Sequence, residues 1–246
     1  MSETILKISG VTKTYRGKLA VDNINMTICK GDIYGLIGRN GAGKTTLMRI
    51  ITSLTSADNG EIELFDEKTV AGLLKARRRL GCVIETPALY PNLTAHQNLE
   101  YFRILWRIKD KSAVRRTLKA VDLADTGKKK FRDFSLGMKQ RLGLALALLN
   151  NPDFIILDEP NNGLDPIGIV EMREMIIKLC NEQGKTIMVS SHMLSELSMT
   201  ATRYGIINDG KLIKEMTHEE LKTQTASGGN LEDYFVSLVR EGNRHG

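Results

Sequence analysis

The stretch "GRNGAGKT", Gly38–Thr45, constrains this chain more than any other. It fits the pattern G-x-x-x-x-G-K-[ST] and lies between a short apolar strand, "GDIYGLIG", and the helix pattern "KTTLMRII". Its glycines let the backbone wrap an anion. The N–H groups of Asn40, Gly41, Ala42 and Gly43 and the following helix N-terminus then face a phosphate. Lys44 reaches the β- and γ-phosphates, Thr45 puts its hydroxyl on Mg²⁺, and Thr46 adds a hydroxyl toward the α-phosphate. Strand, loop and helix in this order demand an α/β fold.

A second motif supplies acids. "FIILDEP", Phe154–Pro160, is a fully apolar strand of the buried parallel type that ends in Asp158 and Glu159. Open α/β sheets place ligands at the C-terminal ends of their parallel strands. Two acids there can merely cap the next helix. Beside a phosphate loop, Asp158 reads as the holder of Mg²⁺ through a water, and Glu159 as the group that polarises the attacking water. No Asn-Lys-x-Asp sequence occurs, so guanine specificity is not indicated and ATP is the expected nucleotide. A third stretch, "FSLGMKQR" from Phe134, opens a helix with Ser135 and keeps Gly137 close by. An ordinary capped helix would look the same. A second phosphate-binding helix end in one chain instead suggests a site completed by another subunit.

The rest of the chain frames these motifs. "ILKISGVTKTY" and "AVDNINMTI" alternate as antiparallel strands do, and "EIELFD" is a further strand after an Asn59-Gly60 turn. Residues from Thr94 to Asn150 carry helical spacing. A helix over Glu171–Gln183, the strand "KTIMVSS", a helix from His192 and a strand pair around Asn208-Asp209-Gly210 follow. "TASGGN" reads as a joint before a last amphipathic helix, "LEDYFVSLVREG". The expected fold is α/β: a phosphate-loop ATPase core with a mostly parallel sheet, an antiparallel β edge and a helical subdomain. The core spans 1–225, with the helical subdomain inserted at about 90–150, and 226–246 forms the amphipathic tail.

Composition narrows the function classes. The formal charge of +6 comes from scattered Lys and Arg without interleaved aromatics, which argues against a nucleic-acid groove. The densest run, "GKKKFR", reads as a solvated helix end or as a face toward anionic lipid or a partner. Cys29, Cys82 and Cys180 lie far apart among apolar neighbours, which predicts buried, reduced thiols in a cytosolic protein. "MSETILKISG" has no signal-peptide pattern, and no apolar run approaches the roughly 20 residues of a membrane helix. Membrane contact is expected only through a partner.

With these motifs in order, the chain resembles the ATP-binding subunits of ABC transporters from about Leu6 to Lys214. "GRNGAGKTT" is similar to the Walker A loop, "FIILDEP" to Walker B, "FSLGMKQR" to the signature, "NGLD" (Asn162–Asp165) to the D-loop, and "SSHMLSEL" to the switch carrying His192. Tyr15 stands where the family places an aromatic that stacks on adenine. The resemblance implies two domains closing head to tail, with each ATP held by the Walker A loop of one copy and Ser135 and Gly137 of the other. It implies catalysis by Glu159, His192 and Lys44. It also implies polytopic permease partners and a peripheral place on the cytoplasmic side of the membrane.

Two departures stand out. Leu136 and Met138 replace the signature's usual Gly and Gln, and Glu85, in "IETPALYPNLT", stands where most relatives carry Gln. That loop senses Mg²⁺ and touches the membrane subunit, so Glu85 is expected to ligate the metal as an amide oxygen would. Glutamate there resembles the branch that protects Gram-positive bacteria from lantibiotics and related peptides such as bacitracin. The remaining alternatives are another exporter of the superfamily and a soluble ABC ATPase that remodels ribosomes or DNA. The soluble type usually carries two cassettes or a long coiled-coil insertion, and neither fits in 246 residues.

Overall fold

The computed structural model describes residues 3–225 and 231–242. The chain starts with β1 (Thr4–Tyr15) and β2 (Lys18–Cys29), antiparallel and joined at Arg16-Gly17, both with positive φ of 49° and 81°. Such a turn matches the twist of the strands it joins. β3 (Ile33–Ile37) is buried at every residue and runs into the Gly-rich loop, and α1 (Lys44–Ile51) leaves it. β4 (Asn59–Leu64) then pairs with β1, giving a three-stranded sheet of order β2-β1-β4. Asn59 and Gly60, expected as a turn, are the first residues of that strand. Gly60 has φ +92°, and a Cβ there would stand 2.5 Å from the Gly10 backbone, so the close approach of the two strands requires glycine.

α2 (Val70–Ala76) leads to β5 (Leu80–Val83), and three helices follow: α3 (Ala95–Leu105), α4 (Ala113–Ala120) and α5 (Leu136–Leu148). α3 starts in a reciprocal cap, with Thr94 Oγ1 accepting from Gln97 N–H and Gln97 Oε1 accepting from Thr94 N–H. "GKKKFR" is not a helix end. Lys130 bridges to Thr94, and Phe131–Asp133 make a 3₁₀ turn that feeds α5. Its aromatics hold it down there, with Lys139 Nζ 5.8 Å from the centre of the Phe131 ring.

β6 (Phe154–Leu157), α6 (Pro166–Gln183), β7 (Thr186–Ser191), α7 (Leu194–Leu197), β8 (Arg203–Asn208), β9 (Lys211–Thr217), α8 (His218–Thr225) and α9 (Leu231–Gly242) complete the described chain. α6 begins five residues before its expected start because Asp165 caps it, accepting from Gly168 N–H at 2.7 Å, with Pro166 at the first helical position. The helix expected from His192 shrinks to the four residues of α7. α9 lays Leu231, Tyr234, Phe235 and Leu238 on the larger core, a spacing of one helix face. Most of "TASGGN", and residues 243–246, lie outside the described residues.

The second sheet has the order β5-β6-β7-β3-β8-β9, parallel from β5 through β8, with β9 antiparallel at the edge. Alternate residues face opposite layers. Leu36, Phe154, Ile156 and Met188 pack toward α1 and the antiparallel sheet, while Ile37, Ile155, Leu157 and Val189 pack toward α5 and α6. The consequence for function is positional. β6 and β3 flank β7, so Gly38, Asp158 and His192 emerge side by side at one sheet edge.

The cysteines depart from expectation at one position. Cys180 is buried and Cys29 half-buried, but Cys82 is exposed. β5 is the edge strand of its sheet, and Cys82 faces a groove of about 1010 Å³ that Trp106 also lines.

Candidate nucleotide site

The loop before α1 is shaped for an anion. Gly43, at φ +109°, leaves the α1 N-terminus without any side-chain cap, so its first-turn N–H groups have no internal acceptor. Glycine is required at Gly43 for space as well, since a Cβ would stand 2.4 Å from Ala20 O. Two adjoining cavities open over the loop, about 510 and 200 Å³, and share Asn40, Gly41 and Ala42. His192 lines the first; Lys44, Thr45, Thr46 and Glu159 line the second.

Lys44 is a buried cation, 5% exposed. It donates to Gly38 O at 2.6 Å and Arg39 O at 3.2 Å, and stands 3.0 Å from Glu159 Oε1. That last contact is off-line for a hydrogen bond, so Oε1 is a buried carboxylate oxygen with a charge partner and no donor. The other oxygen, Oε2, lies 2.9 Å from His192 Nδ1. Glu159 therefore sits between the loop cation and His192, with a free lone pair on Oε1.

Asp158, by contrast, accepts a hydrogen bond on both oxygens. Thr45 Oγ1 donates to Oδ2 at 2.7 Å, and Ser190 Oγ donates to Oδ1 at 2.6 Å. Ser190 Oγ also accepts the Glu159 N–H at 2.8 Å. This fully buried hydroxyl thus orients both acids, and it holds Glu159 in a left-handed backbone of φ +49°. Such a conformation persists only where its surroundings fix it. Sequence reading missed Ser190. The only signal was a hydroxyl two residues before His192, on a strand buried at every residue. Ser190→Ala takes the donor from a buried carboxylate oxygen and the acceptor from the part-buried Glu159 N–H, and is expected to lower unfolding free energy by about 2 kcal/mol. Urea denaturation checks this, and an unchanged midpoint would contradict it.

Other candidate residues lie further out. Ser135 caps α5 and accepts from Met138 N–H at 3.3 Å. A Cβ on Gly137 would meet only Leu164, at 3.8 Å, so that helix start is open. Leu136 and Leu164 bring the start of α5 against the 162–165 segment within one chain. Tyr15 lines neither cavity. Its ring is 43% exposed, its hydroxyl is 3.3 Å from Thr55 Oγ1, and it pairs in the hairpin with Lys18, which does line the larger cavity.

The structure does not bring Glu85 to the Thr45–Asp158 pair. Its carboxylate accepts from Arg49 at 2.7 Å, one helical turn beyond Thr45 on α1. A charge-assisted bond to a guanidinium satisfies the acid there, and its backbone, at φ +63°, turns the chain away from the strand.

The family model for ABC transporters matches residues 21–162, more than half of the chain. The chain belongs to the ABC transporter family. The matched segment holds the phosphate loop, Ser135 and both acids. The cassette is 46% identical to the bacitracin transport ATP-binding protein BcrA of Bacillus licheniformis, across 89% of this chain and 72% of that protein. It is 42% identical to the lantibiotic transport ATP-binding protein SrtF of Streptococcus pyogenes, across 96% of this chain and 97% of that one. Among solved structures, the ATP-binding cassette MJ0796, a dimer in a post-hydrolysis state bound to ADP and Pi, superposes with a TM-score of 0.78. The identity is 28%, over 87% of this chain and 99% of that chain. The fold is that of an ABC ATPase, and this cassette is an ATP-hydrolysing subunit of an ABC transporter. Among the described residues no helix is long and apolar enough to cross a membrane.

Proposed function

We propose that this chain is the motor subunit of an exporter that removes lantibiotics or related antimicrobial peptides from the membrane, giving immunity or resistance. The observation that carries the hydrolytic part is Glu159, set between Lys44 and His192 with a buried, donor-free Oε1. The near full-length likeness to a lantibiotic transport protein supports the cargo.

The loop N–H groups of Asn40–Gly43 and the α1 N-terminus take the phosphates, and Lys44 turns from the carbonyls of Gly38 and Arg39 to the phosphate oxygens. Thr46 adds its hydroxyl, and Tyr15 stacks on adenine. Thr45 and Asp158 fit Mg²⁺: they offer hard oxygens, and no cluster of three acid, His or Cys side chains exists among the described residues. That suits an ion that keeps water and phosphate ligands. Held there, Mg²⁺ would neutralise charge on the phosphates. Glu159 accepts a proton from the attacking water while the water oxygen bonds the γ-phosphorus and the bond from that phosphorus to the ADP oxygen breaks. His192 holds Glu159 and reaches the γ-phosphate. Ser135 and Gly137 of a second copy complete the site from the far side, in a head-to-tail dimer. Glu85, outside the metal pair in this state, belongs to the loop that meets a polytopic permease. That permease holds the cassette on the cytoplasmic face of the membrane.

Growth inhibition of the native host, wild type against Lys44→Ala, across lantibiotics, bacitracin and unrelated drugs tests this reading. Sensitisation confined to one peptide class is expected. Equal growth on every compound would contradict the peptide cargo.

A further inference from the structure

The short helix after His192 carries a carboxylate that neither the phosphate loop nor the acid pair uses. Glu196 Oε2 accepts from Ser191 Oγ at 3.1 Å and from Asn161 Nδ2 at 3.3 Å. Asn161 lies two residues after Glu159, and Ser191 lies directly before His192. Asn161 Oδ1 is buried and makes no hydrogen bond, so its side chain is anchored through Nδ2 alone. Ser191 Oγ also accepts the Met193 N–H at 3.0 Å, which bends the chain around His192. The helix itself cannot drift, because Leu194 and Leu197 are buried in the larger core on either side of the acid.

We propose that Glu196 is a positioning residue for hydrolysis, the tie that fixes the segment after Glu159 to the segment around His192. The inference rests on the assignment of Glu159 and His192 above. Glu159 needs anchoring on both sides because its own backbone is left-handed. Ser190 holds the amide of Glu159 itself, and Glu196 holds the chain two residues on. Without Glu196 the Asn161 amide has no anchor and Ser191 loses its acceptor, so the 2.9 Å contact between Glu159 and His192 is no longer held from outside. Misplacing a reacting group by an ångström costs a rate far more than a binding constant.

The test measures ATP hydrolysis and ATP affinity for Glu196→Ala, Glu196→Gln, Asn161→Ala and the Glu196→Ala/Asn161→Ala pair, with Glu159→Gln in the same assay. Glu196→Ala is expected to lower kcat by roughly ten- to a hundredfold with ATP affinity unchanged. Glu196→Gln keeps an acceptor oxygen and recovers most of the rate. The paired variant is expected to be no slower than the worse single one, as for two residues acting through one contact. A kcat for Glu196→Ala within about twofold of wild type, while Glu159→Gln is arrested, would overturn the inference and leave the site assignment standing. Additive losses in the pair, or a fall in ATP affinity matching the fall in kcat, would overturn it too. Undiminished hydrolysis by Glu159→Gln would instead overturn the assignment beneath it.

Discussion

Lys44→Ala is expected to weaken ATP binding by about a hundredfold or more, roughly 3 kcal/mol. The lysine is the buried cation of the loop, and the phosphates lose their charge-assisted donor when it goes. The truncation also leaves Glu159 a half-buried acid without its cation, 20% exposed, and that costs stability in its own right. Titration calorimetry on protein first shown to be folded by circular dichroism separates the two effects. A folded variant that binds ATP as tightly as wild type would refute the role given to Lys44.

Glu159→Gln acts at the other end of the same contact. Gln keeps the size of the side chain and leaves the backbone N–H on Ser190 Oγ untouched. What disappears is the charge facing Lys44 and His192 and the basic oxygen that takes the proton. Phosphate release is expected to fall by about 10²- to 10⁴-fold, the usual worth of a positioned acid or base. ATP affinity is expected to stay or rise, since Lys44 no longer has an acid to leave. Hydrolysis within a fewfold of wild type would move the base elsewhere.

The parts of this molecule that could be read in advance are those where local chemistry has one solution. Gly43 at φ +109° and the uncapped start of α1 follow from the loop's glycines, and the all-apolar Phe154–Leu157 has to be a central strand. Ser135 caps α5 as its type and place predict. Less legible were contacts that join distant segments. Ser190 and Asp158 are 32 residues apart and Arg49 and Glu85 are 36 apart, so parallel pairing and helix placement, not spacing, bring them together. The metal role expected of Glu85 came from a loop position and could not foresee Arg49. The exposure of Cys82 depends on β5 being an edge strand, which its apolar neighbours do not reveal. The early start of α6 was written in Asp165-Pro166, a cap and first-turn signal lost inside a motif read for its chemistry.

In the proposed arrangement this chain holds half of a nucleotide site and a second copy supplies the rest. Sedimentation velocity of Glu159→Gln with Mg-ATP, against the same protein with ADP, tests it most directly. A species of twice 27.4 kDa is expected with Mg-ATP, and the single chain with ADP. A single chain in saturating Mg-ATP, with the nucleotide shown to be bound, would contradict it.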